Sequence, residues 1–203
     1  MSSQVDICNI CLTILGKPNI TSLTDPGVAA KTLNSNYDIV RCALLSAIGS
    51  WRFSIKRTNL SQIAGAPVSG PFTTQFQLPT DYLRLLQVGD MYPGLDLADY
   101  RLGPIDADYS QEGNILLCDY GSPLSLMYVW DVQDTTLFHP QFVVYFAAEL
   151  AYLNCETITG STERQQLANA RRTQAMYAAV AANAILNPPS HTGDDTWVAS
   201  RMQ

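Results

Sequence analysis

The chain has 203 residues, 47% of them hydrophobic, which is enough apolar material for one cored domain or one domain carrying a large insertion. The net charge of −6 argues against a dedicated duplex-gripping surface, which needs a basic excess. Charged residues make up only 15% of the chain, against roughly 25% in an average soluble protein, so either the fold buries much of itself or neighbours cover much of its surface.

The opening Met1-Ser2-Ser3-Gln4-Val5-Asp6 has neither the basic start nor the apolar run of a signal peptide. No stretch approaches the ~18 apolar residues of a membrane span. A reducing cytoplasm, at least until assembly, is therefore expected, with no membrane partner. Cys8, Cys11, Cys42, Cys118 and Cys155 should then be reduced thiols, and their odd number speaks against a full disulfide framework.

Taken in chain order, the first predicted helix starts at Ser2 or Ser3 with Asp6 in its first turn, and Gly16-Lys17-Pro18 ends it. Its polar residues Asp6, Asn9 and Thr13 form one narrow stripe. The remaining apolar sides predict a deep core position or a neighbouring subunit. Asp25 as N-cap and Pro26 at the first helical position open a second helix. Its core face is Leu33, Tyr37, Val40, Leu44 and Ile48, and Gly49 closes it. Trp51, Phe53 and Ile55 then alternate with polar residues, which predicts a half-buried strand. Phe72, Thr74, Phe76 and Leu78 alternate likewise. Tyr82 to Val88, Ile115 to Cys118 and Leu124 to Trp130 read as further strands, and residues 92–108 as loop. Helix returns at His139-Pro140, breaks at Gly160-Ser161-Thr162 and continues as an alanine-rich helix to about Leu186, where Asn187-Pro188-Pro189 stops it. Residues 188–203 lack periodicity but hold Trp197.

The predicted fold class is α+β. A four-helix core (two N-terminal and two C-terminal helices) carries an inserted small, mainly antiparallel β-sheet and an extended C-terminal tail. Residues 1–50 and 138–187 form the helical domain, 51–137 the strand-rich insertion and 188–203 the tail. Charge is uneven: residues 1–57 carry six basic and three acidic groups, whereas 81–134 carry two basic and ten acidic ones.

Chemical motifs are weak. Cys8 and Cys11 have CxxC spacing, but no second pair stands at comparable spacing, and on an Ile/Leu helix they read as small hydrophobes. Asp106, Asp108, Ser110 and Glu112 resemble the start of a calcium loop. Gln111 and Leu117 stand where such a loop wants Gly and Glu, so a solvated loop is the favoured reading. Asp96, Asp99, Asp106, Asp108, Glu149 and Glu156 form no glycosidase pattern. Glu149, inside an apolar helix, needs a partner such as Arg41 or Arg172. No nucleophile elbow, Walker motif or dinucleotide fingerprint is present, and no cofactor or metal is expected. Arg164, Arg171 and Gln174 fall on one face of the last helix, either as solvated surface or as an intersubunit or DNA-facing strip.

Several of these residues resemble a known family. Asn9, Leu12, Gly16 and Pro18 are similar to the N-terminal N-x-x-L-x-x-x-G-x-P-P signature of tail tubular protein A, the head-to-tail adaptor of short-tailed phages. The chain departs from it at Asn19, where a second proline is frequent. Ile20-Thr21-Ser22-Leu23 and Ala29-Ala30-Lys31 continue the likeness. So do the Tyr37-to-Trp51 segment running into Phe53, Leu78-Pro79-Thr80-Asp81-Tyr82-Leu83, and the helical hairpin from Pro140 to Leu186. The resemblance implies a virion structural protein of the tail or neck, not an enzyme. It would form a homo-oligomeric ring, a dodecamer, between the portal protein and a tail nozzle protein of the tail tubular protein B type. Tail fibres attach where present, and DNA passes through the channel on ejection. On this reading Ile7, Ile10, Ile14, Arg164, Arg171 and Arg172 are subunit-interface residues. Trp197, Val198, Arg201 and Met202 bind portal, and Asp96, Asp99, Asp106 and Asp108 face the nozzle. The alternative is a tail-associated glycan or peptidoglycan hydrolase using Asp106, Asp108 or Glu149.

Overall fold

The computed structural model describes residues 2–47, 50–65, 67, 70–89 and 109–186. Helices α1 (Gln4–Leu15) and α2 (Val28–Ser46) precede six strands: β1 (Ile55–Leu60), β2 (Thr74–Gln77), β3 (Tyr82–Val88), β4 (Tyr109–Glu112), β5 (Ile115–Cys118) and β6 (Leu124–Trp130). Helices α3 (Pro140–Thr159) and α4 (Thr162–Ile185) follow. The class is α+β, as expected.

The ends of α1 follow from local chemistry. The Ser3 hydroxyl accepts from the Asp6 amide while the Asp6 carboxylate accepts from the Ser3 amide, a capping box. Gly16 ends the helix in the left-handed conformation at φ 64°. Asn9 then clamps the chain beyond it: its amide donates to the Ile20 carbonyl at 3.1 Å and its oxygen accepts the Ile20 amide at 2.9 Å. The α3–α4 junction is similar. Gly160 is left-handed and the Ser161 hydroxyl caps α4.

Two expectations about the N-terminal half are corrected. Helix α2 begins at Val28 with Gly27 as N-cap, and Asp25 is spent one turn earlier. Its carboxylate accepts the Thr21 and Ser22 amides and so closes the preceding turn. Trp51-Arg52-Phe53 is no strand either; Arg52–Ser54 is a 3-10 turn. The Trp51 indole donates to the Leu44 carbonyl, one of the orphan acceptors at the end of α2, and the Ser54 hydroxyl donates to Trp51. The alternating aromatics thus serve a turn that inserts Trp51 and Phe53 among Phe138 and Phe142.

The insertion contains two antiparallel sheets, where one was expected. Their orders are β1-β6-β3 and β2-β5-β4. β5 and β6, adjacent in sequence, lie in different sheets. β4 was not anticipated, because its Ser110 and Glu112 fall within the stretch tested as a calcium loop; it turns through Gly113 at φ 58° to pair with β5.

There are two cores. Helix α3 is central to the first, touching α1, α2 and α4 and burying Phe142, Phe146, Ala147, Leu150 and Ala151. The second lies between the sheets: Leu60, Phe76, Leu78, Leu116, Leu124, Leu126 and Tyr128. Strand β6 belongs to both, since Val129 faces the helices while Leu126 and Tyr128 face the second sheet.

Candidate functional site

Helices α1 and α4 both lie on α3 but scarcely touch each other. The gap is a groove of about 400 Å³ lined by Ile10 and Ile14 of α1, Gln141, Val144 and Ala148 of α3, and Arg171, Gln174, Ala175 and Ala178 of α4. Each helix contributes by period. Ile10 and Ile14 are one turn apart, as are Val144 and Ala148, and Arg171, Gln174, Ala175 and Ala178 follow at three and four. The alanines keep the α4 wall low, which holds the groove open. Its floor is apolar, while Arg171 and the two glutamines supply polar groups. Arg171 is exposed and has no carboxylate partner among the described residues.

The expected interface residues separate here. Ile10 and Ile14 are half-buried, line the groove and meet Arg171 across it. Ile7 is a correction: it is fully buried within its own chain, so no neighbour reaches it without unfolding α1. Arg164 shares the groove-side face of α4, as the spacing predicted, but donates to the Leu15 carbonyl and so caps the end of α1. Arg172 pairs with Glu149 at 3.3 Å and lies over the Tyr152 ring at 4.4 Å. This is the partner Glu149 was expected to need. Arg41, the other option, is buried and forks onto Asp131 through Nε and Nη2 at 3.1 and 3.0 Å.

A second surface lies on the outer side of α4. Ala170, Thr173, Tyr177, Val180 and Ala184 are spaced three, four, three and four residues apart, the seam pattern of packed helices. Apart from the half-buried Thr173 they are exposed, Tyr177 at 67% and Val180 at 53%. Neither surface was read from the sequence as a unit. Helix α3 is apolar on nearly all sides, so periodicity cannot single out Val144 and Ala148. The α4 seam was legible only as a high alanine content.

Of the carboxylates considered for catalysis, only Glu149 and Glu156 fall among the described residues. Asp96, Asp99, Asp106 and Asp108 lie outside the described residues, as do Trp197, Val198, Arg201 and Met202. Glu149 is held in its ion pair and Glu156 stands on the exposed side of α3. Cys8 and Cys11 are fully buried free thiols, and burial pushes the Cys8 thiol up to about 12 and that of Cys11 higher still. Neither is a thiolate at neutral pH. Among the described residues no acidic, histidine or cysteine cluster could hold a metal, and no helix is long and apolar enough to cross a membrane. No protein-family model matches the chain, and no curated protein matches it significantly.

Proposed function

We propose that this chain is a structural ring subunit, a head-to-tail adaptor of the tail tubular protein A type that joins portal to tail nozzle in a short-tailed phage. The observation that carries the reading is the outer seam of α4. A lone chain gains nothing from presenting Tyr177 and Val180 to water in helix-packing register, whereas a ring subunit needs such a seam to meet its neighbour. The order of elements supports the same reading. Two helices, a strand-rich insertion and a helical hairpin follow one another as the resemblance requires, and Asn9 and Gly16 of the N-terminal signature shape the turn after α1. In the assembled ring the helical body meets neighbours and portal, the strands face the nozzle, and DNA passes through without being gripped. The role is architectural; Glu149, the best-placed carboxylate for hydrolase work, is already committed to Arg172.

The test is coexpression with the cognate portal followed by imaging of the purified assembly. A ring of this chain seated on the portal, viewed end-on and countable in class averages as twelve subunits, is the expected result. A chain that stays monomeric in the presence of folded portal overturns the reading.

A further inference from the structure

Helix α2, like α4, presents apolar side chains to water on the side turned away from α3. Ile39 is 69% exposed and Val28 65%, and Lys31, Ser35 and Ser46 share their face at helical spacing. The outer seam of α4 continues by its three-and-four rhythm back through Gln166 to the exposed Glu163 in the first turn. The two faces look away from each other. On α3, Asn154 accepts the Asn36 side-chain amide of α2, while Tyr152 lies under Arg172 of α4. Two residues apart on a helix means about 200° apart around it. The two helices nevertheless run the same way. Asn36 meets Asn154 while Arg41 reaches Asp131 ahead of α3, so α2 is antiparallel to α3, and Gly160 turns α4 back along α3.

We infer that each ring subunit docks the outer face of its α2 onto the α4 seam of its neighbour, parallel and level. The contact presupposes the ring proposed above and names the two faces that close it. Rotation about an axis along the helices carries every residue round at its own height. Residues that meet between copies must therefore already be level within one chain, and these are. The Asn36–Asn154 bond sets Lys31 level with Thr159 of the antiparallel α3, and Ile39 level with Ala151. The Arg172–Glu149 pair then sets Thr159 level with Thr162 of α4, and Ala151 level with Ala170. Lys31 of one copy thus falls within one residue of Glu163 of the next. By the same steps Ile39 falls on Ala170 and Ser46 on Tyr177. Opposite charges meet at one end of the contact, and each large side chain faces a small one.

The experiment is coexpression of the full chain with its cognate portal, reading the fraction of portal that carries a ring. Lys31→Glu and Glu163→Lys should each lower that fraction about fivefold or more by setting like charges together, with helical circular dichroism unchanged. Combined, the two reversals exchange the charges and should recover most of the loss. A cysteine pair checks the register. In a Cys42→Ser background, Ile39→Cys with Ala170→Cys should cross-link neighbours into a ladder of oligomers under mild oxidation. Ile39→Cys with Tyr177→Cys, about 10 Å off level, should not. A native ring that neither reversal weakens, a loss that the double reversal fails to recover, or cross-linking through the off-level pair alone overturns this contact and leaves the adaptor reading standing. A native chain that forms no ring on folded portal overturns both.

Discussion

At the residue scale, Gly16 and Arg164 form one device at the end of α1. Gly16 holds a left-handed φ of 64°, and a Cβ there would run into the Arg164 guanidinium that satisfies the Leu15 carbonyl. Gly16→Ala should therefore cost about 1–2 kcal/mol, from the conformation and from the displaced cap together. Arg164→Ala should cost about 1 kcal/mol. Because both act on the same cap, the double variant should fall short of the sum in urea denaturation. Additive losses would show that the guanidinium and the glycine act independently. Thiol chemistry gives a second residue-scale prediction. Cys8, Cys11, Cys118 and Cys155 are fully buried, whereas Cys42 is half-buried. At pH 8 a disulfide reagent should modify Cys42 alone in the folded chain and all five after unfolding. Fast reaction of Cys8 or Cys11 would contradict the burial that raises their thiols.

At the element scale, Asp81 ties three strands together just before β3. Its carboxylate accepts Lys56 of β1 at 2.7 Å and the Tyr128 hydroxyl of β6 at 2.9 Å. Burial pushes its pKa up, but these two hydrogen bonds outweigh that and leave it below the ordinary carboxylate value. A carboxyl with a lowered folded pKa contributes stability that is complete above its unfolded pKa of about 4 and is lost as pH falls through the folded value. Asp81→Asn should therefore reduce stability at pH 7 and flatten the acid limb of the stability profile below about pH 4. An unchanged acid limb would place that sensitivity elsewhere. The outer seam of α4 makes the complementary prediction. Tyr177→Asp with Val180→Asp should shift monomer stability by less than about 0.5 kcal/mol, since both are exposed. If the seam is a subunit contact, the same pair should weaken ring assembly about thirtyfold or more, the loss expected of an aromatic anchor.

The ends of α1 and α3 and the start of α4 were legible because their caps are local: Ser3 with Asp6, Gly16, Pro140, and Gly160 with Ser161 each act within a few residues of their own helix. The start of α2 was not, because Asp25 closes the preceding turn instead. Strands β5 and β6 were legible as apolar runs with turn chemistry between them. Their assignment to different sheets was not, because it depends on β6 pairing with β1 and β3, which lie far off in sequence. Trp51 misled for a similar reason. Alternation describes side-chain spacing but not the indole's bond to Leu44, which turns the chain. The groove was half legible. Ile10, Ile14, Arg171 and Gln174 stood out, but the α3 floor that joins them is defined by where α1 and α4 diverge, a property of three helices together.

At the scale of the whole molecule, strand β6 decides whether the insertion is a separable module. The chain boundaries at residues 51 and 137 suggest one, yet Val129 and Trp130 pack on the helical core while Leu126 and Tyr128 pack between the sheets. A strand that carries both cores couples their stability, because its backbone cannot leave one without opening the other. Phe76 tests this, being fully buried in the intersheet core and absent from the helical one. Phe76→Ala should cost about 3–5 kcal/mol, a large share of the roughly 5–15 kcal/mol of an ordinary domain. With coupling, the loss moves a single urea transition to lower concentration, and helical circular dichroism and the fluorescence of Trp51, buried in the helical core, shift together. With independent modules, the Phe76→Ala transition splits. Amide exchange then accelerates in β2 and β5 while α3 and the Trp51 signal keep their native midpoint, and the coupling argued from β6 fails.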